Sequence, residues 1–168
     1  FYILNERLEL TAGSTNQVPA FISQGKSVSW GIINRMKAYP SQVILECSKT
    51  YKDNLSRSQL LIGKAVVENE KIKGYLLFVL YGDEFVKTSE NIAIQMIVTD
   101  QYDNVFMETT QCFKNVQDKI RSEFKKENNY IKIDGNKYYK KKSSIIFNKL
   151  NIYTFTEVGS YQRVFIWG

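Results

Sequence analysis

The chain has no histidine and only two cysteines, two prolines and two tryptophans in 168 residues. Without histidine the usual zinc ligand sets cannot be assembled. The Ser-His-Asp and Cys-His arrangements of nucleophilic catalysis are excluded too, as is the side chain best suited to general-base work near neutral pH. Cys47 and Cys112 lack CxxC spacing, and are either one disulfide of an oxidising compartment or two buried thiols. No glycine-rich phosphate loop precedes a helix, and no serine or cysteine has a base beside it. The apolar runs fall well short of the ~20 residues of a membrane helix. Neither an enzyme nor a cofactor is expected.

What is present is apolar and aromatic bulk: 43% hydrophobic and 14% aromatic residues, which speaks against disorder. The length favours one domain around one core. A net charge of +6 permits contact with nucleic acid, anionic lipid or an acidic ligand, although a solvated lysine-rich surface is the commoner cause than any one of these. The sequence opens at Phe1 without a leader, which reads as a processed chain or an excised piece of a longer one.

The spacing of apolar residues in FYILNERLEL, 1–10, predicts the end of a helix, and TAGSTNQVP a loop. Val28, Ile32 and Met36 recur at helical spacing and predict a helix over 20–38 that stops before Pro40. QVILECSKTY, 42–51, reads as a strand and KDNLSRS as a polar loop. Strands over 60–67 and 72–81, joined by ENEK, form an antiparallel hairpin whose second strand, KIKGYLLFVLY, is central to the sheet. GDEFVKTSENIA leaves that sheet in a short helix. IQMIVTD and NVFMETT flank a turn at Asp100 to Asn104, and Phe113, Val116, Ile120 and Phe124 share one helical face. YIKI and KYYKKK form a third hairpin around Asp134-Gly135-Asn136, and SSIIF and NIYTFTEV add one or two strands. The tail YQRVFIWG is a final strand or a segment nearing a membrane interface. The sum is an α+β arrangement: a central antiparallel sheet with an N-terminal helix and flanking helices.

Three of these pieces, in this order, resemble Cache sensor domains: KAVVENEKIKGYLLFVLYGDEF, QMIVTDQYDNVFMETT, and YIKIDGNKYYKKKSSIIFNKLNIYTFTEV. The likeness covers roughly residues 42–158. It implies a PAS-like fold lying outside the cytoplasmic membrane of a bacterium, between two membrane helices of a receptor, most readily a sensor histidine kinase, with a chemoreceptor as the alternative. One sensor module is then expected: a helical region over 1–41, a sheet core over 42–158 and a membrane-proximal tail over 159–168. The sequence lacks the Tyr-x-x-x-x-Arg-x-Trp-Tyr type of pattern by which some members hold an amino acid, so the resemblance does not support an amino-acid ligand.

A pocket on the sheet would use side chains that join apolar bulk to a polar tip, here Arg57, Tyr75, Phe78, Tyr81, Tyr138 and Tyr139. Each also reads as plain core or edge packing, the commoner use of a tyrosine. Arg57, placed in a polar loop, suits a bidentate carboxylate. Trp30, Arg35 and Tyr39 lie about one turn apart on the expected first helix. Lys137, Lys140, Lys141 and Lys142 suit phosphate, an acidic polymer or lipid headgroups, or guard a sheet edge against aggregation. Asp100, Asp103 and Glu108 are metal-ligand types, but turn carboxylates mostly bind nearby backbone, and no metal is expected. The expected partners are a small-molecule or peptide ligand and, through the N-terminal helix, a second copy of the chain. A base-stacking nucleic-acid binder is the competing class. It is weakened because the aromatics sit among aliphatic neighbours, so no nucleic acid is expected. A secreted interaction domain stays open.

Overall fold

The computed structural model describes residues 1–16, 22, 31–52, 55–88, 95–109, 119–133, 135–146 and 149–159. They form two compact units, Phe1–Tyr81 and Gly82–Gly168, each built on its own five-stranded antiparallel sheet. Two sheets thus stand where one central antiparallel sheet was expected.

In the first unit, β1 (Tyr2–Asn5), β2 (Leu10–Gly13), β3 (Ile44–Lys52), β4 (Leu55–Glu68) and β5 (Lys71–Tyr81) lie in the order β2-β1-β5-β4-β3. Residues 1–10 are thus strands, not a helix end. Tyr2 and Leu4 are buried while Ile3 between them is exposed, a period of two. Asn5 Oδ1 accepts hydrogen bonds from the backbone N–H groups of Arg7 and Glu9, both at 2.9 Å, and turns the chain back. β5 is the middle strand, as its uncharged run predicts. The β4–β5 hairpin turns on Asn69 and Glu70, with φ of 49° and 62°, the left-handed pair that matches strand twist.

Of the helix expected over 20–38, the described stretch is α1 (Ile32–Ala38), which ends before Pro40. It packs on β4 and β3. A side chain at Gly63 would meet Met36 Sδ at 2.6 Å, so the bare backbone there lets α1 sit directly on the sheet. Leu4, Ile33, Met36, Leu61 and Leu77 are all but inaccessible in the resulting core, each contributing about 1.5–3 kcal/mol by burial.

In the second unit, α2 (Gly82–Thr88) is followed by β6 (Gln95–Asp100), β7 (Val105–Glu108), a π-helical turn (Ile120–Phe124), β8 (Tyr130–Ile133), β9 (Asn136–Ile145) and β10 (Leu150–Glu157). The order β7-β6-β10-β9-β8 repeats that of the first sheet: second, first, fifth, fourth, third. Phe124, Tyr153, Phe155, Ile97 and Ile133 fill this core, and Phe124 meets Phe155 with ring centroids 4.8 Å apart. Gly135, at φ 89°, allows the β8–β9 turn. Of the helix read from Phe113 to Phe124, Phe113 and Val116 lie outside the described residues, as do Trp30, Cys112 and the tail after 159.

Candidate functional site

Strand register determines which side chains can act together. In the first sheet Ile44 faces Gly63, Glu46 faces Leu61 and Ser48 faces Gln59. On the other side of β4, Gly63 faces Leu77, Leu61 faces Val79 and Gln59 faces Tyr81. With side chains alternating across the sheet, Glu46, Ser48, Gln59, Arg57 and Tyr81 share the face on which α1 sits, running on from the Gly63 contact. The end under α1 is apolar, and the sheet beyond it is polar.

That polar stretch is internally ordered. Arg35, buried on α1, donates to Glu46 Oε2 at 2.6 Å and to the Leu45 carbonyl at 3.2 Å. Gln59, only 4% exposed, donates through Nε2 to Ser48 Oγ at 2.9 Å. The Arg57 guanidinium lies 4.0 Å from the centroid of the Tyr81 ring, a cation–π contact that fixes its plane. A cation, a carboxylate, an amide and a hydroxyl are therefore held on a half-buried surface, the composition that orients a small polar ligand.

The six residues singled out from the sequence divide between the two units. Arg57 and Tyr81 come together in the first. Arg57 lies within β4, not in a loop, because β4 begins at Leu55. Tyr75 is core, 2% exposed, and burial raises its pKa. Phe78 projects from the opposite face and is 44% exposed, with Phe1 tilted against it at 6.5 Å. Tyr138 is buried in the second core, while Tyr139 is exposed beside Tyr130. Sequence reading missed Glu46, Ser48 and Gln59. A polar residue at every second position of two paired strands, Glu46 with Ser48 and Arg57 with Gln59, was the signal available.

The other candidates serve structure. Arg35 is tied to Glu46, and Tyr39 is exposed. Asp100 accepts from the N–H groups of Tyr102 and Asn104 at 2.9 Å each and from Asn104 Nδ2 at 3.0 Å. Asp103 pairs with Lys125 at 2.6 Å. Lys140 is buried, and its ammonium donates to the carbonyls of Phe124 and Lys126. Desolvation, then the charge of Lys142, lowers its pKa.

No protein-family model and no curated protein matches the sequence. Among solved structures, the chain is similar to the ligand-binding domain of the Pseudomonas aeruginosa amino acid chemoreceptor PctB in complex with L-Arg. The identity is 11%, the TM-score 0.60, and the match covers 99% of this chain and 74% of that one. It is similar also to that of the Pseudomonas fluorescens chemoreceptor CtaA in complex with L-serine, at 9% identity and TM-score 0.60, over 93% of this chain and 71% of that one. The corresponding domain of Campylobacter jejuni Tlp3, in complex with 4-methylisoleucine, matches at 9% identity and TM-score 0.55, over 93% of this chain and 64% of that one. Among the described residues no helix is long and apolar enough to cross a membrane. The chain has the Cache-like fold of the ligand-binding domains of bacterial chemoreceptors.

Proposed function

We propose that this chain is the extracellular ligand-sensing part of a bacterial membrane receptor. Its ligand is a small polar molecule bearing a carboxylate, held on the first unit by Arg57 and Tyr81, with Gln59, Ser48 and Glu46 beside them. The observation that carries the reading is the ordered polar stretch beyond α1, on a fold whose solved neighbours are ligand-binding domains. Arg57, stacked on Tyr81, presents the planar fork that pairs with a carboxylate. Glu46 and Gln59 supply acceptors for an ammonium or hydroxyl group, so amino acids and hydroxy acids are the classes to try first. Ligand binding shifts the chain between two states by differential affinity and so passes a signal on. The output is a sensor histidine kinase or, as the alternative, a chemoreceptor of the kind to which the solved neighbours belong.

The test is a thermal-shift screen against amino acids, organic acids, sugars and phosphorylated metabolites, because a ligand that binds only the folded state raises the midpoint. A concentration-dependent rise with one carboxylate class, lost in Arg57→Ala, is the expected result. A shift that survives Arg57→Ala and Gln59→Leu would remove the ligand from this surface.

A further inference from the structure

On the second sheet, strand register places Tyr130 and Lys132 of β8 on one face with Lys137, Tyr139 and Lys141 of β9, and Ile145 at its far end. Among the described residues, no acidic side chain occupies this face on β8, β9 or β10, and none of the three lysines pairs with a carboxylate. Lys132 and Lys137 are directly opposed across the two strands. Like charges so placed destabilise a sheet. The Lys137 ammonium stands 4.8 Å from the Tyr130 ring centroid, and Tyr130 meets Tyr139 edge-on at 5.4 Å.

The guarding of a sheet edge does not account for Lys137, since β9 is bordered by β8 along Asn136–Tyr139 and by β10 from Tyr138 to Ile145. Past Lys141 the strand runs into a tip where Ile145 and Ile146 are 43% and 44% exposed. Ile146 sits at φ 51°, a conformation that a β-branched residue rarely adopts and that asparagine or glycine would take at less cost.

We propose that this face docks on a membrane surface of anionic lipid. The headgroup phosphates neutralise Lys132, Lys137 and Lys141 and relieve the repulsion between the opposed pair. The half-exposed tyrosines lie at headgroup depth, and the isoleucine tip enters the acyl boundary. A soluble polyanion would satisfy the lysines but leaves the exposed aliphatic tip without a use. The inference is independent of the ligand proposed for the first unit.

The experiment is co-sedimentation of the full chain with vesicles of phosphatidylcholine, with and without phosphatidylglycerol. Binding only to the anionic vesicles, weakening as salt rises, is expected. Each of Lys132→Glu, Lys137→Glu and Lys141→Glu should weaken it by at least about five-fold, the worth of one lysine near such a surface. All three lysines are exposed, so far-UV circular dichroism should show unchanged folding. Ile145→Ser with Ile146→Asn, which remove the aliphatic bulk without changing the charge, should reduce vesicle binding while leaving retention on immobilised heparin, a soluble-polyanion probe, unchanged. Failure of the folded chain to bind anionic vesicles would overturn the proposal. So would vesicle binding indifferent to the isoleucine changes, which would transfer the face to a soluble polyanion.

Discussion

Tyr153 offers a test of the second core in which the expected sign runs against the usual effect of truncating a buried side chain. The residue is inaccessible to solvent, its ring packs against Phe124 at 6.1 Å, and its hydroxyl has no hydrogen-bond partner among the described residues. A buried hydroxyl without a partner costs about 1–3 kcal/mol. Tyr153→Phe removes that group and leaves the ring, so the variant should be as stable as the parent at neutral pH or more stable by about 1 kcal/mol.

The pH dependence is sharper. Burial, then the charge of Asp103, pushes the Tyr153 pKa up to about 12 from 10.0. Between those values the unfolded chain has lost the phenolic proton and the folded chain still holds it. Stability is therefore complete below about pH 10 and falls as pH rises towards about 12. Two pH units at about 1.36 kcal/mol each amount to roughly 2–3 kcal/mol. Urea unfolding at about pH 8 and pH 11.5, followed by circular dichroism, reads both effects. The difference between parent and variant cancels the other tyrosines, Tyr75 among them. A variant less stable than the parent by more than about 1 kcal/mol at pH 8, or one with an undiminished alkaline loss, refutes the reasoning.

Gly74→Ala would drive a methyl group into the Leu4 carbonyl where β1 pairs with β5. A loss of about 1–3 kcal/mol is expected in chemical denaturation, with hydrogen exchange accelerated first in β1. Asp100→Ala removes the acceptor of three hydrogen bonds that close the β6–β7 turn. At about 1 kcal/mol each, a loss near 3 kcal/mol is expected, and a change below 0.5 kcal/mol would mean the turn closes without its carboxylate. Arg35→Met strands Glu46, whose side chain is 24% exposed, and should cost about 3 kcal/mol. Arg35→Met with Glu46→Leu should recover most of that, measured as a double-mutant cycle.

The hairpins were legible because their signals are local. A charged turn between two apolar runs gave β4 and β5, and Asp134-Gly135 gave β8 and β9. The N-terminal strands were not legible, because Phe1, Ile3, Leu4, Leu8 and Leu10 also satisfy a helical stripe. The choice between the two periods is made by pairing with β5, a partner some seventy residues away. Arg57 was assigned to a loop because its neighbours are serines, yet β4 extends through them by pairing with β3. The doubled strand order was hidden because the two sheets share topology and not side chains. Arg57 and Tyr81 could be named one by one, but their stacking depends on the β4–β5 register and was not readable from either strand alone.

That doubled topology bears on where a ligand can sit. β4 and β5 of the first sheet correspond in strand order to β9 and β10 of the second. In the second, the inner face of β10 carries Tyr153 and Phe155 against Phe124, and the ammonium of Lys140 on β9 is spent on backbone carbonyls. That face is filled, and the charge of Lys140 is satisfied internally. In the first, helix α1 packs over Gly63 beside Leu61, and the same strands also carry Gln59, Arg57 and Tyr81 beside Ser48 and Glu46. A ligand that depends on fixed polar groups in half-buried surroundings fits the first face and not the second. The second unit keeps its unbalanced charge on the outside, at Lys132, Lys137 and Lys141. If the two faces have separate tasks, Arg57→Ala should abolish the ligand-induced thermal shift and leave vesicle binding intact. Lys137→Glu should weaken vesicle binding and leave the thermal shift intact, and a variant at either face that stays folded by circular dichroism yet loses both would show that one surface serves both tasks.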